Sequence, residues 1–109
     1  MNERRSGQDR RAVERFRVNI DIDWESLDKK QKGTISDISV AGCFVLCSGD
    51  VENGDYVKIW FPLTNGGKIQ LMGEVTNHVF EIGYGIVFVN LSEAHQEFLE
   101  VFIDTLRDD

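Results

Sequence analysis

The chain contains one proline, two cysteines and two histidines among 109 residues. It also lacks any apolar run approaching the roughly 20 residues that a membrane-spanning helix needs. These shortages exclude several classes of function. Cys43 and Cys47 lie four positions apart, about 13 Å along an extended strand, which is too far for a disulfide or for two ligands on one metal. His78 and His95 are the only other soft ligands, and they fall in different segments. No serine–histidine–aspartate order with a nucleophile elbow is present, and no glycine-rich loop opens a helix. Gly83 and Gly85 continue into strand, so they are not a dinucleotide fingerprint. The carboxylates alternate between faces and do not pair. The expectation is a non-enzyme with no metal and no cofactor.

A hydrophobic segment is also missing behind the arginine-rich N-terminus, so that segment does not read as an export signal. The expected compartment is the cytoplasm, with both cysteines reduced. Apolar content of 41% and charged content of 28% fit one soluble domain with a single core.

Charge is present, and it is unevenly placed. Residues 1–17 hold Arg4, Arg5, Arg10, Arg11, Arg15 and Arg17 against three carboxylates, a net +3, whereas residues 18–109 carry −10. A cationic arm on an anionic body suggests that the arm meets an anion. Guanidinium, unlike ammonium, grips phosphate oxygens or the O6/N7 edge of guanine as a planar fork. The competing reading is a solvated tail whose arginines pair loosely with the body. General nucleic-acid binding wants a basic face and exposed aromatics along it, so DNA and RNA are not expected partners.

Residues 1–16 lack hydrophobic periodicity and read as a flexible arm. Val18, Ile20, Ile22 and Trp24 then alternate with polar residues, the period of a strand with one buried face. Ser26 to Lys32 reads as a polar loop and Gly33–Ile38 as a second strand. Cys43 to Cys47 is apolar on both faces and is expected to be covered from both sides. Tyr56–Phe61 and Lys68–Val79 flank Asn65-Gly66, a strong hairpin signal. Gly73 is expected to mark a bulge. Ile82 to Val89 forms the last strand, with Ile82, Tyr84, Ile86 and Phe88 on its larger face. Only the end is helical: Ser92 as N-cap, then an apolar stripe of Phe98, Leu99, Phe102, Ile103 and Leu106. Six short strands predict a mainly β fold, a six-stranded antiparallel barrel over 17–109, with a C-terminal helix over 92–107 and the arm over 1–16.

One further cluster stands out. Asp37, Ser39 and Gly42 surround the turn after the second strand. A carboxylate, a hydroxyl and a bare backbone can read the N1–H and N2–H₂ edge of a guanine, and the same composition is also common in turns that bind nothing.

Arg11-Ala12-Val13-Glu14-Arg15 before the first strand, with Asp37-Ile38-Ser39-Val40-Ala41-Gly42 at the later turn, resembles the PilZ domain family, whose signatures are RxxxR and [D/N]xSxxG. The resemblance spans essentially the whole chain and implies a receptor for the bacterial second messenger cyclic di-GMP. By that resemblance Arg11 and Arg15 would bind phosphate and guanine, and Asp37, Ser39 and Gly42 would hold a guanine and the adjacent backbone. Arg10 extends the first signature, and its extra guanidinium suggests a second ligand molecule, so that the ligand would bind as an intercalated dimer. The implied output is a conformational change relayed to an unidentified protein partner. The alternative is an interaction adaptor that uses the same barrel without any nucleotide.

Overall fold

A computed structural model describes residues 14–26, 29–47 and 51–107. Six strands precede one helix: β1 Phe16–Ser26, β2 Lys29–Ile38, β3 Gly42–Leu46, β4 Tyr56–Pro62, β5 Lys68–Val79, β6 Gly83–Phe88 and α1 Glu93–Arg107. The strands close into a barrel in the order β1-β2-β3-β6-β5-β4, and every pairing is antiparallel. The mainly β architecture read from the period-two pattern is therefore the one observed.

The barrel interior is filled by the inward residues of each strand. Trp24, Ile35, Val45, Ile59, Leu71 and Val75 are each fully buried. Closure requires close backbone approach between β3 and β6, where a methyl group on Gly42 would overlap the Ile86 carbonyl and one on Gly83 the Val45 carbonyl. At the β4–β5 hairpin Gly66 sits at φ +91°, a conformation that only glycine adopts without strain.

Helix α1 lays its stripe on the barrel. The backbone N–H of His95 donates to Ser92 Oγ at 3.1 Å, which makes Ser92 the N-cap. Leu99 and Ile103 are buried. Phe61 on β4 meets Phe98 and Phe102 edge-on, with centroids 5.4 and 5.2 Å apart. No described helix is long and apolar enough to cross a membrane.

Several local expectations need correction. Lys29 to Lys32 is strand, not loop, because the lysines face outward opposite carboxylates, with Lys30 paired to Glu25 and Lys32 to Asp23. The β3 strand is not covered on both sides: Leu46 is 39% exposed, and a barrel needs only its inner face buried. Ile82, 53% exposed, belongs to the turn before β6. The irregularity in β5 lies between Val75 and Asn77, not at Gly73. Gly73 is buried instead because a side chain there would strike Ile86.

Two outcomes test this packing. Leu99→Ala is expected to lower the unfolding free energy by about 2–5 kcal/mol in a denaturant titration, the usual cost of a large-to-small core change. Burial pushes the Cys43 thiol up to about 12, so iodoacetamide at about pH 8 should alkylate Cys47 well ahead of Cys43 in the native chain, read by peptide mass mapping.

Candidate functional site

The turn between β2 and β3 is held by one side chain. Ser39 is wholly buried, and its Oγ accepts hydrogen bonds from the backbone N–H of Ala41 at 3.0 Å and of Gly42 at 3.2 Å. Its own backbone N–H donates to the Gly42 carbonyl at 2.8 Å. The hydroxyl is thereby committed to its own turn, a local side-chain to backbone motif that competes well with solvent. Gly42 uses its missing side chain to admit the Ile86 carbonyl; it does not adopt a positive φ.

Asp37 stands one strand residue before this turn and faces outward. Arg15, immediately before β1, reaches across to it. Arg15 Nε donates to Asp37 Oδ1 at 2.8 Å, and Nη2 lies 2.5 Å from the same oxygen. The two side chains are 46% and 33% exposed. An exposed pair of this kind is worth about 0–1 kcal/mol, so it can be exchanged for other partners at little cost. The residue before it, Glu14, accepts from Arg107 Nη2 at 3.5 Å, and the Arg107 guanidinium lies 5.6 Å from the centre of the Phe16 ring. The start of β1 is thus tied to the end of α1.

Register extends the site sideways. Asp37 pairs with Phe44 on β3, Phe44 with Gly85 on β6, and Gly85 with Asn77 on β5. Cross-strand partners in an antiparallel sheet share a face, so these four residues form a row across the outer wall, roughly 14 Å wide at the usual strand spacing. Gly85 leaves a notch in that row, with Asn77 and the Phe44 ring on either side. Arg15, Asp37, Gly42, Phe44, Asn77 and Gly85 are among the residues that line a cavity of about 420 Å³ here, within the usual range of small-molecule sites. Register shifts fall on both flanks, between Ile35 and Asp37 on β2 and between Val75 and Asn77 on β5. Bulges of this kind re-aim side chains beside binding sites.

Of the residues singled out from sequence, Arg15, Asp37 and Gly42 line this cavity, and Ser39 sits behind it, shaping the turn. Arg10 and Arg11 lie outside the described residues, as does most of the arm. Phe44, Asn77, Gly85 and the neighbouring Thr76 were not singled out. The one signal for them is the pair of glycines at 83 and 85, since two side chains missing from one face of a strand leave that face shallow, without saying what borders it. Among the described residues no group of three or more His, Cys, Asp or Glu side chains is arranged to hold a metal ion.

The chain matches the family model of the PilZ domain over residues 9–104. No curated protein matches it. Among solved structures it is similar to the Borreliella burgdorferi PlzA protein in complex with c-di-GMP, at 17% identity and a TM-score of 0.67, over 91% of this chain and 43% of that one. It is also similar to the PilZ domain of CeSA from a cellulose synthesizing bacterium, at 20% identity and a TM-score of 0.64, over 82% and 92% of the two chains. A third similarity is to the Bacillus subtilis Inhibitor of motility, MotI/DgrA, at 14% identity and a TM-score of 0.67, over 83% and 47%. The chain therefore spans less than half of PlzA and of the motility inhibitor. At these identities the likeness is one of fold.

Removing the Ser39 hydroxyl would strand two backbone donors. Ser39→Ala is expected to cost about 1–3 kcal/mol in chemical denaturation, whether or not any ligand is present.

Proposed function

The chain belongs to the PilZ domain family, and from that premise we propose that it binds cyclic di-GMP, the ligand in the PlzA complex it resembles in fold, at the Arg15–Asp37 cavity and signals by changing conformation. The observation that carries the reading is the paired guanidinium and carboxylate at the head of a notched cavity. In the unliganded chain these two groups satisfy each other. A ligand phosphate competes for Arg15, and its departure frees Asp37 to accept from the N1–H and N2–H₂ groups of a guanine. One exposed ion pair is exchanged for two charge-assisted contacts, each of the stronger class at about 1.5–3 kcal/mol. A purine lying over Gly85 would be bordered by the Phe44 ring and would have the Asn77 amide at its edge. Ser39 and Gly42 serve by holding the turn beneath the ligand.

Arg11 is assigned to the phosphate and guanine contacts through its place in the arm, and Arg10 to a second molecule of an intercalated pair. The net −10 of residues 18–109 repels a dianion, so arginines from the arm are what make approach favourable. Engagement of the arm by the ligand also supplies the output. Glu14 lies between Arg11 and Arg15 in sequence and is bonded to Arg107, so a shift of the arm pulls on the C-terminal turn of α1. A protein partner that reads the position of α1 would receive the signal, an equilibrium biased by the ligand's preference for one state.

Calorimetric titration with cyclic di-GMP tests this. Arg15→Ala should weaken binding at least roughly tenfold, about 1.4 kcal/mol or more, with the thermal midpoint of the free protein little changed. Asp37→Ala should erase the preference for cyclic di-GMP over cyclic di-AMP. Unchanged affinity in folded Arg15→Ala would refute the assignment. Absence of any binding to the native chain would leave the nucleotide-independent adaptor as the better reading.

A further inference from the structure

The barrel carries a second charged cavity on the wall opposite the nucleotide site. In the closed order β1-β2-β3-β6-β5-β4, β1 and β4 stand across the ring from β3 and β6. Lys58 lies on β4, and the other four lysines lie on the stretches of β2 and β5 that pair with these strands, Lys29, Lys30 and Lys32 against β1 and Lys68 against Pro62 of β4. Lys30, Lys32 and Lys68 border a cavity of about 450 Å³ together with Asp23, Gln31 and Trp60.

Its geometry is convergent. Lys32 Nζ donates to Asp23 Oδ1 at 3.0 Å and Lys68 Nζ to Asp23 Oδ2 at 3.1 Å. Lys30 Nζ lies 5.4 Å from the centre of the Trp60 ring. Two ammonium groups thus grip the Asp23 carboxylate while the third lies over Trp60, so the residues lining the cavity carry three cations to one anion, with Glu25 opposite Lys30 on the neighbouring strand. Hydrogen bonds from Lys32 and Lys68 hold the Asp23 carboxyl below the usual carboxylate range, so it remains ionised and keeps the two lysines gathered.

Structural roles account poorly for the cluster. The side chains of Lys32 and Lys68 are 88% and 53% exposed, and exposed pairs contribute little to stability. Edge protection, a common use of surface lysine, is not required because a closed barrel presents no open edge. We propose that this wall is a docking groove for an acidic peptide segment of a partner protein, its carboxylates meeting Lys30, Lys32 and Lys68 and an apolar side chain resting on Trp60. Charge complementarity fixes the sign of the occupant. The cation type favours its class: flexible ammonium groups accept carboxylates at varied spacings, whereas the planar fork suited to bidentate phosphate binding belongs to arginine, and the residues that line the groove include none. The half-buried indole adds a surface that a bare anion would not use. The two walls would thereby divide the work, arginine for the nucleotide and lysine for the partner, and the proposal does not depend on the nucleotide reading.

The test uses the full chain and a fluorescein-labelled eight-residue peptide of Asp and Glu with one central leucine, followed by anisotropy at low ionic strength. Saturable binding with Kd on the order of 10–100 μM is expected. It should weaken at least tenfold in Lys32→Gln/Lys68→Gln and several-fold in Trp60→Ala, while circular dichroism and cyclic di-GMP titration match the parent chain. Three results would each overturn the proposal: no saturable binding, equal binding by the lysine double variant, or displacement by inorganic phosphate or phosphatidylglycerol vesicles as effective as by unlabelled peptide. Salt-sensitive self-association in sedimentation velocity, lost in both Lys32→Gln and Glu97→Lys, would give the groove to a second copy of the chain and likewise overturn it.

Discussion

The ladder between β3 and β6 is the contact on which the rest of the molecule depends. These strands are distant in sequence, and their five-residue register, from Gly42 opposite Val87 to Leu46 opposite Gly83, closes the ring. At both ends of the ladder a glycine faces a carbonyl of the other strand, Gly42 against Ile86 and Gly83 against Val45. A side chain at either position would push the strands apart and open the barrel along this seam. Once the seam is closed, β2 and β5 are held at a fixed distance on either side of it. The row from Asp37 through Phe44 and Gly85 to Asn77 follows from that spacing. The notch at Gly85 is set by the same pairing.

How much of this could be read from sequence depends on the range over which each feature is determined. Strand identity is local: the alternation from Val18 to Trp24, the Asn65-Gly66 turn and the Ser92 cap each need only a few neighbours, and each is found where the pattern puts it. Lys29 to Lys32 has the composition of a loop, yet outward positions on a strand accept lysine readily when carboxylates lie opposite, as Asp23 and Glu25 do here. The bulges beside Asp37 and Asn77 are set by the register of partner strands, and no residue type announces them. Asn77 and Phe44 are accordingly out of reach of a sequence reading, while Arg15 and Asp37, which line the same cavity, are carried by a family signature.

The charge of the chain is better understood by wall than by sum. A total of −7 describes neither face. The arm concentrates arginine, whose fork suits phosphate, and the cations of the body, Arg107 apart, are five lysines gathered around β1 and β4. Helix α1 is different again, with Glu93, Glu97, Glu100 and Asp104 all exposed at three- and four-residue spacing. Like charges along that stripe weaken the isolated helix slightly. The buried Leu99 and Ile103 and the rings packed on Phe61 outweigh this, since core contacts are worth several times more than a surface pair. The last turns of α1 are anchored through Phe102, Ile103 and Leu106 on the core and through Arg107 on Glu14.

The two halves of the family signature are put to different physical uses in this fold. Arg15 and Asp37 present exposed charged groups to the cavity, and their mutual pair is weak enough to exchange. Ser39 and Gly42 are spent on architecture, the first on two backbone donors of its turn and the second on the seam with β6. A side chain can thus be indispensable for binding without touching what is bound, because the surface it supports would otherwise lose its shape. Loss of affinity at positions 39 or 42 therefore carries no information about direct contact until the stability of the variant has been set against it, whereas loss at 15 or 37 in a folded protein does.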